Sequence, residues 1–277
     1  MSEKSINCIH LVYFSPSGST EKIVRKIASG IQNVEIKSHN LLPSEERKKK
    51  YVFGKNDLVI YGSLSAGMLF TKAEEIFNCL QGNDTPFIGV VSFGHSYYGV
   101  ALTEMKERAE SRGFCVCGLG AFVSRHSMMK KLGSGRPDSK DEEIMVDFGR
   151  KAYEKILSGD YTLHNQPVTN WSLSEEANKI IAFREKNKEP YCFPKEFRAK
   201  KISDNCIKCK TCVRNCPTNA IDIENKIFDL DACIGCYGCI NRCPKHAISP
   251  SNPKVEKFMN DFTEIFNKIR LEPDIFL

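Results

Sequence analysis

No stretch of this 277-residue chain is long and apolar enough to cross a bilayer, so a membrane span is not expected. The polar start Met1-Ser-Glu-Lys runs straight into a strand-like segment, without the apolar core and small-residue cleavage site of a secretory leader. A soluble, cytoplasmic protein is expected. Long runs of one charge are missing too: the net charge of +6, from 40 Lys and Arg against 34 Asp and Glu, is spread along the sequence. The short cluster Arg47-Lys48-Lys49-Lys50 follows Glu45-Glu46 and reads as a solvated helix face, so no nucleic-acid partner is expected.

What the chain has in excess is cysteine. Thirteen in a reducing compartment mean metal ligands or buried thiols rather than a disulfide framework. Eight of them follow one spacing used twice, as Cys206, Cys209, Cys212 and Cys216-Pro217, then Cys233, Cys236, Cys239 and Cys243-Pro244. The same 27-residue offset maps Asp204 onto Asp231, Val213 onto Ile240, Ala220 onto Ala247 and Ile221 onto Ile248, which makes this an internal repeat. A four-iron cluster needs thiolates converging from different directions; three can come from one tight loop and the fourth must arrive from elsewhere. Structural zinc ligands, the main alternative, come as separated pairs rather than as three cysteines at two-residue gaps. The proline after each fourth cysteine fixes φ and has no amide hydrogen to place.

The segment resembles the two-cluster bacterial-type ferredoxins, in which the fourth cysteine of each run ligates the other cluster. The resemblance implies two [4Fe-4S] clusters, one held by Cys206, Cys209, Cys212 and Cys243, the other by Cys233, Cys236, Cys239 and Cys216. Lys208, Lys210, Arg214, Arg242 and Lys245 lie nearby and offset the negative charge of such cages or favour an acidic redox partner.

Upstream, apolar runs alternate with helical periodicity. Ile6–Phe14 reads as a strand, and Ile23, Val24, Ile27 and Ile31 recur at helical spacing. Strands near 57–61, 87–91 and 114–123 alternate with helices near 72–80, 100–112 and 140–157. With a second strand implied between the first helix and residue 57, this pattern predicts an α/β doubly wound, parallel, five-stranded sheet. Cofactors of such sheets bind beyond the carboxyl ends of the strands. Three loops occupy that edge. The first, with Ser15, Ser17, Gly18, Ser19 and Thr20, opens a helix and suits a monophosphate; it has neither the lysine of a nucleoside-triphosphate loop nor the dinucleotide glycine fingerprint. The others hold Ser63, Leu64, Ser65, Ala66 and Gly67, and Ser92, Phe93, Gly94, His95, Tyr97, Tyr98 and Gly99.

The first loop looks like the FMN phosphate loop of flavodoxins, and the other two stand where flavodoxin-like proteins hold the isoalloxazine ring. Phe93-Gly94 with Tyr98, Arg112-Gly113-Phe114, and Ala121-Phe122-Val123 with His126-Ser127 resemble a family of flavodoxin–ferredoxin fusion proteins. The resemblance implies a flavodoxin-like FMN domain over 1–160, an ordered connector over 161–200, a small α+β two-cluster ferredoxin-like domain over 201–250 and a C-terminal amphipathic helix over 251–277. Ser63 and Ser65 replace the family's proline and aromatic residue, and Gly99 replaces its acidic residue. Ring cover is therefore expected from Tyr97, Tyr98, Phe70 or Met68; His126 reads first as an ordinary loop histidine, and otherwise as a donor of a proton or hydrogen bond to reduced flavin.

Cys8, Cys79, Cys115 and Cys117 read as packing thiols and Cys192 as a reactive linker thiol. Pro167, Trp171, Pro190, Tyr191 and Phe193, with a helix-like stretch over 174–186, suggest a connector that braces the two halves. Val255, Phe258, Met259, Phe262, Ile265, Phe266 and Ile269 form an apolar helix stripe that packs back on the chain. The expected function is electron relay between the clusters and FMN, serving redox partner proteins. The alternatives are a flavoenzyme reducing a small-molecule substrate and a non-catalytic redox sensor.

Overall fold

The computed structural model describes residues 5–70, 72–167 and 194–277. The connector helix, Trp171, Tyr191, Phe193 and Cys192 lie outside the described residues. Strands β1 (Cys8–Tyr13), β2 (Glu35–Asn40), β4 (Asp57–Leu64), β6 (Thr85–Phe93) and β7 (Phe114–Val123) run parallel in the order β2-β1-β4-β6-β7. This is the flavodoxin-like order, with its switch point between β1 and β4. All residues of β6 are buried, as expected for a central strand covered on both faces. Short β3 (Tyr51–Phe53) and β5 (Leu80–Gly82) form a separate parallel pair.

Helices α1 (Ser19–Ala28) and α4 (Ser139–Leu157) cover one face, where Ile23, Val24 and Ile27 meet Met145, Phe148, Ala152 and Ile156. Cys117 is buried in that layer with Cys115 packed against it. α2 (Ala73–Cys79) and α3 (Ala101–Glu110) cover the other with Ile76, Phe77, Leu102 and Met105. α4 starts sharply because Asp138 and Asp141 form a reciprocal capping box.

The C-terminal half begins with α5 (Lys195–Arg198) and β8 (Lys200–Ile202). The repeat follows as α6 (Thr211–Arg214), the hairpin β9 (Ile221–Asp222) and β10 (Ile227–Phe228), α7 (Gly238–Arg242) and β11 (Ile248–Pro250), which pairs antiparallel with β8. α8 (Pro253–Phe266) buries Val255, Phe262 and Phe266, while Ile269 lies past its end and is exposed.

Two expectations are corrected. The main sheet has six strands, because β12 (Asp274–Phe276) returns and pairs antiparallel with β7. Tyr98 Oη donates to Asp274 at 2.9 Å, and Arg270 reaches Asp138 at 2.6 Å, so the tail is held at both ends. Arg47 does not lie on a solvated face: its side chain is 1% exposed. Its guanidinium donates to Leu41 O at 2.7 Å, Leu42 O at 2.6 Å, Pro217 O at 2.6 Å and Glu75 at 2.9 Å. One cation thus satisfies three carbonyls, the last in the cysteine repeat. Arg47→Met removes the charge and leaves those carbonyls unpaired, so it is expected to cost about 3 kcal/mol in urea unfolding. Lys48→Met, at an exposed neighbour, is expected to stay within about 0.5 kcal/mol of the wild type; equal effects from the two would contradict the role of Arg47.

Candidate redox site

The 27-residue repeat reappears as backbone geometry. Lys208 (φ 51°), Lys210 (φ 58°) and Asn219 (φ 55°) are left-handed, as are their mates Gly235 (φ 70°), Tyr237 (φ 58°) and His246 (φ 49°). Ala220 N–H donates to Cys216 Sγ and Ala247 N–H to Cys243 Sγ, both at 3.3 Å. One cavity is lined by Cys206, Cys209, Cys212 and Cys243, and a second by Cys216, Cys233, Cys236 and Cys239. The chain therefore gathers the thiols into two quartets, each with one member from the other half of the repeat.

The two cages differ in surroundings. At the first, Cys209 is exposed and its thiol is held below the usual range by hydrogen bonds with Thr211. At the second, burial pushes Cys236 up to about 12 and raises Cys239 as well. Once iron is bound these thiols are deprotonated outright. The first cage faces solvent and the second faces the sheet domain.

α7 lies directly on the first loop of the cofactor edge. Gly238 permits this, since a Cβ there would stand 2.9 Å from Pro16 O. Arg242 Nε donates to Pro16 O at 2.6 Å and Nη2 to Ser15 O at 3.0 Å; Asn241 Nδ2 donates to Ser127 O at 2.7 Å. Sequence reasoning missed these contacts, although the repeat held a signal. Where the exposed half has Lys208, Lys210 and Thr211, the docked half has Gly235, Tyr237 and Gly238.

Between the domains lies a cavity of about 70 Å³. Of the residues expected at the cofactor, Ser17, Leu64, Ser65, Ala66, Ser92, Gly94 and Tyr97 line it, joined by Phe70 and His126 and by Gly235, Cys236 and Phe262 from the C-terminal half. Ser15, Gly18, Ser19, Thr20, Ser63, Gly67, Phe93, His95, Tyr98 and Gly99 do not. Ser15 Oγ instead caps the first turn of α1, accepting from Glu21 N–H at 3.1 Å, and Thr20 and Ser92 join hydroxyls at 2.7 Å. Phe93 and Tyr98 are core residues packed edge to face. Tyr98 therefore offers no ring cover, which corrects that expectation. His95 turns away, with Nε2 3.4 Å from Leu271 N. At Gly99 (φ +55°) a Cβ would meet Gly67 O at 2.0 Å, so the loop has no room for a side chain at this position.

Residues 205–247 match the family described as a 4Fe-4S dicluster domain. The chain joins a flavodoxin-like fold to a two-cluster ferredoxin domain. Among solved structures it is similar to rubredoxin oxygen:oxidoreductase from Desulfovibrio gigas, at 16% identity and TM-score 0.40, over 57% of this chain and 38% of that one. It is also similar to the Streptococcus pneumonia TIGR4 flavodoxin, at 15% identity and TM-score 0.37, over 53% and 99% of the two chains. A Fusobacterium nucleatum flavodoxin bound to flavin mononucleotide gives 10% identity and TM-score 0.39, over 55% and 99%. This chain thus spans well under half of the first of these. No curated protein matches it in sequence. The matched segment is of iron–sulfur type, and no described helix is long and apolar enough to cross a membrane.

In the ferredoxin domain Cys216 belongs by sequence to one half and by position to the other's cage. Cys216→Ser is expected to disturb the electron paramagnetic resonance signals of both clusters, whereas Cys209→Ser disturbs one. A Cys216→Ser protein with one signal wholly unchanged would contradict that coupling of the two halves.

Proposed function

We propose that this chain is an electron-transfer protein in which two [4Fe-4S] clusters and an FMN exchange electrons within one polypeptide. The observation behind this reading is that Cys236 borders both the second thiolate cage and the cavity at the cofactor edge. When bound, the clusters supply one-electron steps and the flavin two-electron capacity, so partners of both kinds can be coupled.

The residues at the edge fit FMN. Gly18, left-handed at φ 90°, is the N-cap of α1; the amides of Ser19 and Thr20 have no intrahelical acceptor and can receive a phosphate, while that of Glu21 donates to Ser15 Oγ. Ser17, in the same loop, lines the cavity. Ser65, Ala66, Gly94 and Tyr97 bound the space for the ring on one side, and His126 to Met129 bound it on another. Gly235, Cys236 and Phe262 close it from the ferredoxin side and limit the entry of water. His126 Nδ1 accepts from Met128 and Met129 N–H at 3.1 and 3.2 Å, which places its hydrogen on Nε2.

The exposed Cys209, with Lys208 and Lys210 beside it, gives a redox partner protein access to the outer cage. Glu224 pairs with both lysines, at 2.9 and 3.4 Å, which weakens the net positive charge offered there. Joining the two halves replaces a diffusive encounter with a high effective concentration.

Anaerobically purified protein is expected to hold about eight iron per chain and, after reconstitution, one FMN with quenched fluorescence. With less than full reduction, electrons should distribute between clusters and flavin in the absence of any substrate, seen in the visible spectrum. Absence of flavin binding would defeat the proposal, and flavin reoxidation only on addition of a small organic acceptor would favour a flavoenzyme.

A further inference from the structure

Two lysines occupy matching places in the ferredoxin repeat and meet different surroundings. Ser203 N–H donates to Ala247 O at 2.9 Å, and Asp229 N–H to Ala220 O at 3.0 Å. Ala247 and Ala220 are repeat mates, so Ser203 matches Asp229, and counting back along each strand matches Lys200 with Lys226. Lys226 stands at the surface with its ammonium 2.7 Å from Asp204, which neutralises it. Lys200 is only 8% exposed. Its ammonium lies 4.9 Å from the Tyr237 ring centre and 5.8 Å from that of Phe228, donating to Arg198 O at 2.7 Å and to Cys233 Sγ at 3.5 Å.

Other cations do not separate the cages in this way. Arg198 donates to Cys233 O at 3.2 Å, and Arg214 does the same for Cys209 O at 3.0 Å. Lys200 alone of the matched pair reaches a cage sulfur, from a site walled by rings. A cage that takes up an electron gains one negative charge. A cation held against a ligand sulfur and away from water favours that reduced form, since hydrogen bonds to sulfur, local charge and solvent exposure set such potentials.

We propose that Lys200 holds the reduction potential of the inner cage above that of the outer one and so directs electrons toward the cofactor edge. One electron leaves the outer cage, oxidising it by one, and reduces the inner cage by one; no bond or proton changes place, and an external one-electron donor protein restores the outer cage. The inference rests on the two-cluster reading and adds a direction to it.

The test is an anaerobic potentiometric titration of the full cluster-loaded chain, with the two signals followed by electron paramagnetic resonance. Lys200→Met and Lys200→Gln are expected to lower the higher-potential signal by a tenfold change in its oxidised-to-reduced ratio, about 59 mV for one electron, and to leave the other in place. Lys200→Arg should restore most of the difference, and Lys226→Met should move neither signal by as much. Ligand changes in a chain with Lys200 intact give an independent check: Cys233→Ser must disturb the higher-potential signal and Cys209→Ser the lower. Unmoved signals in both Lys200 variants, equal movement of both signals, or the reverse assignment by the cysteine variants would overturn the proposal. Wild-type protein with fewer than two clusters would instead remove the reading on which it rests.

Discussion

A cubane takes its four thiolates from directions that one tight loop cannot supply, and the C-terminal half of this chain is shaped by that constraint. It accounts for the doubled spacing, the left-handed residues that curl each loop, and the exchange of Cys216 and Cys243 between halves. It also ties the two halves into one unit. Each cage is completed only when the opposite half is in place, so the small domain gains from ligation the cohesion that its short strands and four- or five-residue helices cannot provide.

The pseudo-symmetry of that unit is broken by what each half touches. One half keeps lysines and a threonine around its loop and faces solvent. The other replaces them with glycines and a tyrosine and lies against the sheet domain. Arg242 and Arg47 fix this docking from opposite sides, one reaching from the ferredoxin domain to carbonyls of the first sheet loop, the other from the sheet domain to Pro217 O. Both use guanidinium groups on backbone carbonyls, contacts that depend on main-chain position more than on partner side chains.

The parts of this arrangement that were legible in the sequence are those governed by local rules. Cysteine spacing follows from ligand chemistry, and the alternation of apolar runs with helical periodicity follows from burial, so the cages and the parallel sheet could both be read. Arg47 could not, because nothing local separates a buried arginine from the exposed lysines that follow it; two of its acceptors, Glu75 and Pro217 O, come from distant segments. Nor could Tyr97 be told from Tyr98. Adjacent residues in a loop diverge: Tyr97 lines the cavity, while Tyr98 is packed in the core. The three residues of β12 are too few to show a period, and only the open edge of β7 makes them a strand.

That last strand changes how the two domains relate. In chain order the sheet domain comes first, yet its outer edge at β7 is covered by residues that follow the whole ferredoxin repeat, with Ile275 opposite Gly120 and Phe276 opposite Leu119. The domains are therefore not beads on a string. During synthesis the β7 edge stays open to other strands until the tail emerges, and separating the halves at the connector would leave the sheet with an unpaired edge.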